Sequence, residues 1–390
     1  MDIRKLKINK ESNKITILAL SWRDIESPDK GGAEVQTHAM LTSLPRDKYQ
    51  IIHISPLYAG MQEYSEIDGI SYYRDGTIYS VIWYAFVFYQ HNHKRIDVVI
   101  DQCNTHRFFT PLYVSAKKRI LYIHQMTREI WRISMRYPLC IVGEKLEDFI
   151  TKIYRKGNTI TVSESTKKNL TDLGFDKDKI LIIPQMLKQK PVPYNEIPNK
   201  YETPTFVYVG RYSPYKGIDV AVEALGLLKK EYTNCKLHIL GGYSSDYVET
   251  YLRPICEKYS IVIGQSLDCD VCCDGFVSEE DKLSILGKSH ALLFPSIREG
   301  WGIPISEAAY VGTPSIVFDS DGLRDAVDYG RAGYLTEENT ANCLAKNMKD
   351  VIENTENYER IRRNAYEFTR EYLGKNYVRV LDEFLRSYVE

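Results

Sequence analysis

The sequence predicts two α/β domains, each a doubly wound parallel sheet, facing each other across a cleft. Three observations point there. Short apolar runs of strand length alternate with helical stretches along the chain, the signature of βα units and a parallel sheet. The 390 residues exceed what one ordinary core holds and fit two domains of normal size. The stretch 186–204 carries prolines at 191, 193, 198 and 204 and no hydrophobic periodicity, so it reads as a linker between a first domain, 1–185, and a second, 205–373.

Composition narrows the class. At 44% hydrophobic and 26% charged, the chain is globular rather than disordered. No apolar stretch reaches membrane-spanning length, and 1–14 lacks the apolar core of a signal peptide, so a cytoplasmic protein is expected. The 8 cysteines then read as reduced thiols. Cys256, Cys269, Cys272 and Cys273 form one cluster, but a structural zinc asks for two spaced pairs, so free thiols in a surface insertion are favoured over a metal or redox site. Cations are in excess before residue 185 and anions after it. That asymmetry suggests a phosphorylated acceptor or an acidic membrane face as partner, with an unpartnered solvated surface standing beside it. Nothing indicates nucleic acid.

In order, 15–20 reads as the first buried strand, followed by a polar loop, then Gly31-Gly32 and a helix to about residue 44. A glycine pair between a strand and a helix makes a phosphate-friendly helix start. Strands are expected at 49–54, 70–73, 96–100 and 119–123. The aromatic stretch 78–89 is too short to span a bilayer; a buried helix is preferred, with membrane-surface contact as the alternative. His124 stands at the carboxyl end of the 119–123 strand, where open α/β sheets gather ligands. Further strands follow at 159–162 and 180–183.

The second series opens with a strand at 205–209 and the run Gly210-Arg211-Tyr212-Ser213-Pro214-Tyr215-Lys216-Gly217 before a helix at 218–230. Two cations at a strand's carboxyl end suit a diphosphate. Strands at 237–240, 291–294 and 314–318 and helices from about 339 to 388 complete it. After 291–294 comes Glu299-Gly300-Trp301-Gly302-Ile303-Pro304, with Pro304 in a helix's first turn, and Glu307 inside that helix. Eight positions are a little over two helical turns, so Glu307 should return toward the side of Glu299, and the two carboxylates could hold the two ends of a polyhydroxy ligand.

These residues resemble the E-x7-E signature of the retaining, GT-B-fold glycosyltransferases of family 4 (glycosyl transferases group 1). The run 210–217 resembles that family's G-R-x-x-x-x-K-G element, and 274–278, with Phe276, its nucleobase-bracketing element. The resemblance implies a retaining hexosyltransferase with two Rossmann-like domains and a terminal helix, about 374–390, crossing back to the first domain. It implies a nucleoside-diphosphate sugar as donor and a glycan or lipid-linked acceptor, with no metal, since fixed cations replace a divalent ion and no Asp-x-Asp triplet is identified as a metal site. The catalytic group it implies is His124 near the reacting carbon, Glu299 on sugar hydroxyls, and Arg211 and Lys216 on the leaving diphosphate. Donor-binding positions add Gly31 and Gly32 over the diphosphate, Phe276 near the base, Glu307 on the ribose, and the turn Gly300, Trp301, Gly302 and Ile303, whose backbone faces the developing charge. At Gln185-Met186 the chain departs from the family's small or acidic residue followed by glycine, and Asp325 stands where a Glu is usual. The rivals are a nucleotide-sugar epimerase of the same fold and a non-catalytic scaffold that binds nucleotide sugar. A scaffold is expected to have lost one of Glu299, Glu307, Arg211 or Lys216, and all are present.

Overall fold

The computed structural model describes residues 2–103, 106–187, 189–266 and 268–388. It divides the chain into two compact units, Met1–Thr127 with Val142–Met186 and Asn376–Glu390, and Arg128–Ile141 with Leu187–Lys375. The segment 128–141, expected in the first domain, therefore clusters with the second unit.

Among the described residues the first unit holds eight strands: β1 (Ile15–Leu20), β2 (Tyr49–Ser55), β3 (Tyr64–Ile67), β4 (Ile70–Arg74), β5 (Val98–Cys103), β6 (Arg119–Ile123), β7 (Asn158–Thr161) and β8 (Ile180–Ile182). Their order is β3-β4-β2-β1-β5-β6-β7-β8. All neighbours pair in parallel except β3, an antiparallel edge strand on β4 that the sequence reading did not anticipate. Both β5 and β6 are buried at every position, as strands covered on both faces must be. The aromatic stretch forms the helix Ser80–Asn92, which sinks Val81, Ala85, Phe88 and Tyr89 into a core with Ile52, Ile54 and Val99. The C-terminal helix Tyr377–Arg386 belongs to this unit. It buries Leu381 and Leu385, and Asp382 accepts a hydrogen bond from the Tyr49 hydroxyl at 2.8 Å.

The second unit carries β9 (Thr205–Val209), β10 (Lys236–Leu240), β11 (Ile263–Gly264), β12 (Val271–Gly275), β13 (Ala291–Phe294), β14 (Ser315–Val317) and β15 (Tyr334–Leu335). Their order is β11-β12-β10-β9-β13-β14-β15, all parallel. The cysteine segment is no surface insertion. Cys272 and Cys273 lie in β12 and are buried, as are Cys256 and Cys269, and all four are free thiols. A buried thiol behaves as a small hydrophobe, so Val271-Cys272-Cys273 serves as an apolar strand core. The proline-rich stretch is held against this unit rather than loose. Val192 N–H donates to the Tyr310 carbonyl at 3.0 Å. The buried Lys200 ammonium donates to the carbonyls of Gly287 and Gly312 and to the Thr313 hydroxyl.

Candidate active site

In a doubly wound sheet, ligands gather outside the carboxyl ends of the strands where the strand order reverses. In the second unit β9 lies between β10 and β13, so the reversal falls at β9 and β13. The loops leaving these two strands hold Arg211, Lys216 and Glu299.

Backbone contacts fix the two loops together. Ile297 N–H donates to the Tyr215 carbonyl at 2.9 Å. At Gly217, which has φ +70°, a Cβ would lie 2.3 Å from the Pro295 carbonyl oxygen, so only glycine lets the strands' exits come this close. Lys216 Nζ then meets Glu299 Oε1 at 2.5 Å, both side chains being mostly shielded from water. Burial works against the charge on Lys216, but the Glu299 carboxylate outweighs it and raises the ammonium's pKa. Arg211 is exposed at the mouth of the same loop.

The turn from β13 rests on the loop after β14. Glu299 N–H donates to the Asp321 carbonyl, and Ser320 Oγ donates to the Ser296 carbonyl at 3.0 Å. Gly322 has φ +80°, and a Cβ there would stand 2.2 Å from the Glu299 carbonyl oxygen. Asp325 accepts from Gly322 N–H at 3.2 Å, so this carboxylate, standing where a Glu is usual, braces the support loop. Arg298, between these layers, pairs with Glu129 and with Asp321 Oδ2, the latter at 2.9 Å.

The helix that follows is Ile303–Tyr310, opened by Gly302 at φ +94° with Pro304 in its first turn. Glu299 lies before it, so the two carboxylates are not phased by one continuous helix as the eight-residue spacing suggested. Each is held by its own lysine instead. Glu307 Oε1 meets Lys282 Nζ at 2.9 Å, and Lys282 also pairs with Glu279. Burial raises the Glu307 pKa against the opposing pull of Lys282.

Not every position of the turn presents its side chain. Trp301 is buried: its ring stacks on Tyr372 with centroids 5.0 Å apart, and its Nε1–H donates to Ser306 Oγ at 2.9 Å. Its side chain is therefore a packing element, and only its backbone can serve a ligand. Gly300 is buried too, and Ile303 is half-buried. Phe276 is 88% exposed, its ring 3.2 Å from where a Cβ on Gly242 would stand, which leaves a free aromatic face beside the loop after β10.

In the first unit the strand order reverses at β1, between β2 and β5. The loop after β1 leads to the helix Gly32–Thr42, where Gly31 N–H donates to Glu34 Oε2 at 2.6 Å. A buried network anchors the loop: Asp24 Oδ2 accepts from Arg74 Nε and from Ser55 Oγ, both at 2.6 Å. Gln36 of the same helix accepts from Met186 N–H at 2.6 Å and donates to its carbonyl at 3.0 Å, which gives the Gln185-Met186 corner a structural anchor. His124 directly follows β6, buried, its ring 4.5 Å from that of Tyr122. Its Nε2 has no hydrogen-bond partner among the described residues, and burial lowers its pKa to about 4, so the imidazole is neutral near pH 7.

Sequence reasoning missed Lys282, the Glu129–Arg298–Asp321 chain and the Asp24–Arg74 pair. Each joins residues far apart in the chain; Glu307 and Arg298 lie in or beside the recognised motif, but their partners Lys282 and Glu129 do not. Three Asp-x-Asp triplets do occur, at Asp176/Asp178, Asp268/Asp270 and Asp319/Asp321. Asp270 pairs with Lys229, while Asp319 and Asp321 both pair with Arg324. Among the described residues no group of three or more His, Cys, Asp or Glu could hold a metal ion.

Comparison with known proteins adds to this geometry. The family model "Glycosyltransferase Family 4" matches residues 30–187, and "Glycosyl transferases group 1" matches 194–368. WcaL of Escherichia coli, a protein named for a glycosyltransferase role in colanic acid biosynthesis, is 26% identical over 50% of this chain and 48% of its own length. The chain thus spans about half the length of that curated relative. Sucrose-phosphate synthase from Thermosynechococcus elongatus superposes with a TM-score of 0.73 over 96% of this chain and 100% of its own, at 15% identity. Anabaena HepE, solved with UDP and glucose, gives 0.69 over 96% of this chain and 100% of its own, at 16% identity. At such identities the likeness speaks for the fold, two parallel-sheet α/β domains of GT-B type.

Proposed function

The chain belongs to the group 1 glycosyltransferases, and from that premise we propose that it is a retaining hexosyltransferase. It moves a hexose-type sugar from a nucleoside-diphosphate donor to an acceptor hydroxyl, without a metal ion, in glycan or glycolipid assembly. The observation that carries this is the meeting of Arg211, Lys216 and Glu299 at the strand-order reversal of the second unit, with Glu307 on the next helix. The HepE structures with UDP and with UDP-glucose support a donor of that class.

The barrier is departure of a diphosphate from an oxocarbenium-like sugar centre. Arg211 and Lys216 stabilise the negative charge that grows on the leaving group, aided by the backbone of 300–303. When the donor enters, Lys216 trades its carboxylate for the diphosphate, which releases Glu299 to bind sugar hydroxyls. Glu307 accepts hydrogen bonds from the ribose, held in place by Lys282. Neutral His124 offers a hydrogen bond near the reacting carbon. The acceptor oxygen bonds to the anomeric carbon on the face that the diphosphate leaves, and its proton passes to a departing phosphate oxygen, so no protein nucleophile is needed.

The test is thermal stability against a panel of nucleoside diphosphates and nucleotide sugars, with a chelator present. A ligand that binds only the folded state raises the melting temperature by mass action. A shift with one base that disappears in Arg211→Ala and Glu307→Ala is expected. A well-folded protein that shifts with none of them ends the proposal.

A further inference from the structure

Hydrogen bonding is uneven along the carboxyl edge of the first unit's sheet. In β5, Asp101 is fully buried and fully engaged. Its carboxylate accepts from the Tyr154 hydroxyl at 2.7 Å, from the Thr110 hydroxyl at 2.8 Å and from the N–H groups of Phe108 and Thr110. The next residue of the strand points to the opposite face. Gln102 is 2% exposed, and its Nε2 donates to the Ala33 carbonyl at 3.3 Å, which fixes the orientation of the amide. Its Oε1 is buried and meets no donor among the described residues. His124 Nε2 is in the same condition, and so is Gln185 Oε1. A buried polar atom left without a partner costs stability, so three at one edge ask for a physical reason.

The three converge. Gln102 lies opposite Tyr122 of β6 in the strand register, and the His124 ring packs 4.5 Å from the Tyr122 ring, so Gln102 and His124 share a face. The helix Gly32–Thr42 lies on that face. Ala33, in its first turn, receives Gln102, and Gln36, one turn on, holds the Met186 backbone in both directions. Gln185, beside Met186 and 7% exposed, is brought to the same end of the helix.

We propose that Gln102, His124 and Gln185 form a subsite for an uncharged sugar, the acceptor of the transfer. The chemistry of the three groups selects it. Amide oxygens need an O–H or N–H donor, and a phosphate dianion or a carboxylate supplies none. A sugar hydroxyl donates and accepts, so the hydroxyls of one pyranose ring suit both amides and the imidazole in either tautomer. Arg23, in the loop before the helix, is already engaged, by the Glu34 carboxylate 3.4 Å away and by the Asp29 carbonyl. The cation excess before residue 185 suggested a phosphorylated acceptor; the groups without partners here carry no charge and favour a neutral one. Gln185 also stands where the chain departs from the family's small or acidic residue, so it sets a preference of this chain. In the reading above the second unit's residues take the nucleotide and the transferred sugar, which leaves Gln102 and Gln185 to the acceptor. That assignment rests on the transferase proposal, while uptake of a neutral sugar does not.

Saturation-transfer NMR on the full chain tests it. The neutral probes are methyl glycosides of glucose, galactose, mannose and N-acetylglucosamine; the anionic ones are glucose 6-phosphate and glucuronic acid. At least one neutral glycoside is expected to bind, and neither anionic sugar to displace it. Gln185→Met and Gln102→Met keep the side-chain length and remove the amide, and each should weaken that binding on the order of tenfold. Melting-temperature shifts with nucleoside diphosphates should match the parent's in both. The Gln185 variant keeps the test open if Gln102→Met, which also leaves the Ala33 carbonyl without its donor, is unstable. Preference for the anionic sugars, or binding of no neutral glycoside, overturns the proposal. Neutral binding that neither variant weakens overturns it too, and assigns the amides to ordered water. Sugar binding weakened by both variants in a chain that no nucleotide stabilises keeps the subsite and sinks the transferase instead.

Discussion

Lys216 and Glu299 occupy each other, and so do Lys282 and Glu307. Removing one partner of a mostly buried pair strands the other, which costs far more than the pair contributes. Lys216→Met should lower the transfer rate on the order of a hundredfold or more, since it also removes a cation from the leaving group, read as kcat/KM with a saturating acceptor. Lys282→Met makes a different prediction. Burial already raises the Glu307 pKa against the pull of Lys282, so losing that lysine raises it further. In the proposed ribose role, a protonated Glu307 carries a donor O–H on one oxygen and is a weaker acceptor for the hydroxyls than the carboxylate. Nucleoside-diphosphate affinity of this variant should then fall as pH is lowered from 8 to 5, more steeply than the parent's, in calorimetric titrations. A pH profile parallel to the parent's would remove Lys282 from the site.

The elements that hold these residues are held in turn by close backbone approaches. Gly322→Ala would force a Cβ within 2.2 Å of the Glu299 carbonyl oxygen at φ +80°, and backbone has no rotamer with which to yield. A loss of roughly 2–4 kcal/mol in urea denaturation is expected, together with weakened donor binding. Gly174→Ala is the comparison, since at φ +87° a Cβ there meets nothing within 4 Å and only conformational strain of ~1 kcal/mol applies. Equal losses would mean that the packing against Glu299 carries no weight.

At this scale the sequence was legible in a particular way. The strands β1, β6, β9 and β13 follow from apolar runs, and of the motif glycines Gly217, Gly302 and Gly322 sit where φ is positive. The cysteine strand β12 was missed because Cys was weighed as chemistry rather than as a hydrophobe. The edge strand β3 was missed because its residues alternate between half-exposed and exposed and carry no apolar face. Trp301 had the opposite fault: it lies inside a recognisable motif, and nothing in that motif reveals that Tyr372, in a helix of the same unit, claims its ring. The pairing of Lys216 with Glu299, and Lys282 altogether, stayed hidden because sequence spacing does not encode contacts between segments far apart in the chain.

Across the whole molecule, three histidines share one condition. His53, His124 and His290 have pKa values lowered to about 4, each chiefly by burial. Between about 6.5 and about 4 the unfolded chain takes up protons that the folded protein refuses, so folding stability falls as pH drops through that window and levels off below it. Urea midpoints at pH 7, 5.5 and 4 should decline in that order. His290→Asn should flatten the decline, whereas a pH-independent midpoint would contradict the burial of all three imidazoles. Leu385→Ala makes a separate test of the terminal helix: with this side chain fully buried, a loss of about 2–5 kcal/mol is expected.

The pairing of cations around the second unit's site also governs how fast a donor finds it. Lys216, Lys282 and Arg298 are each neutralised by carboxylates within the protein. Their fields largely cancel at a distance, and among the described residues Arg211 has no carboxylate partner and stands exposed at the loop mouth. Long-range attraction of a dianionic nucleotide therefore depends chiefly on one guanidinium. Encounter should respond only weakly to ionic strength, and the internal pairs should exchange their partners after the nucleotide has arrived.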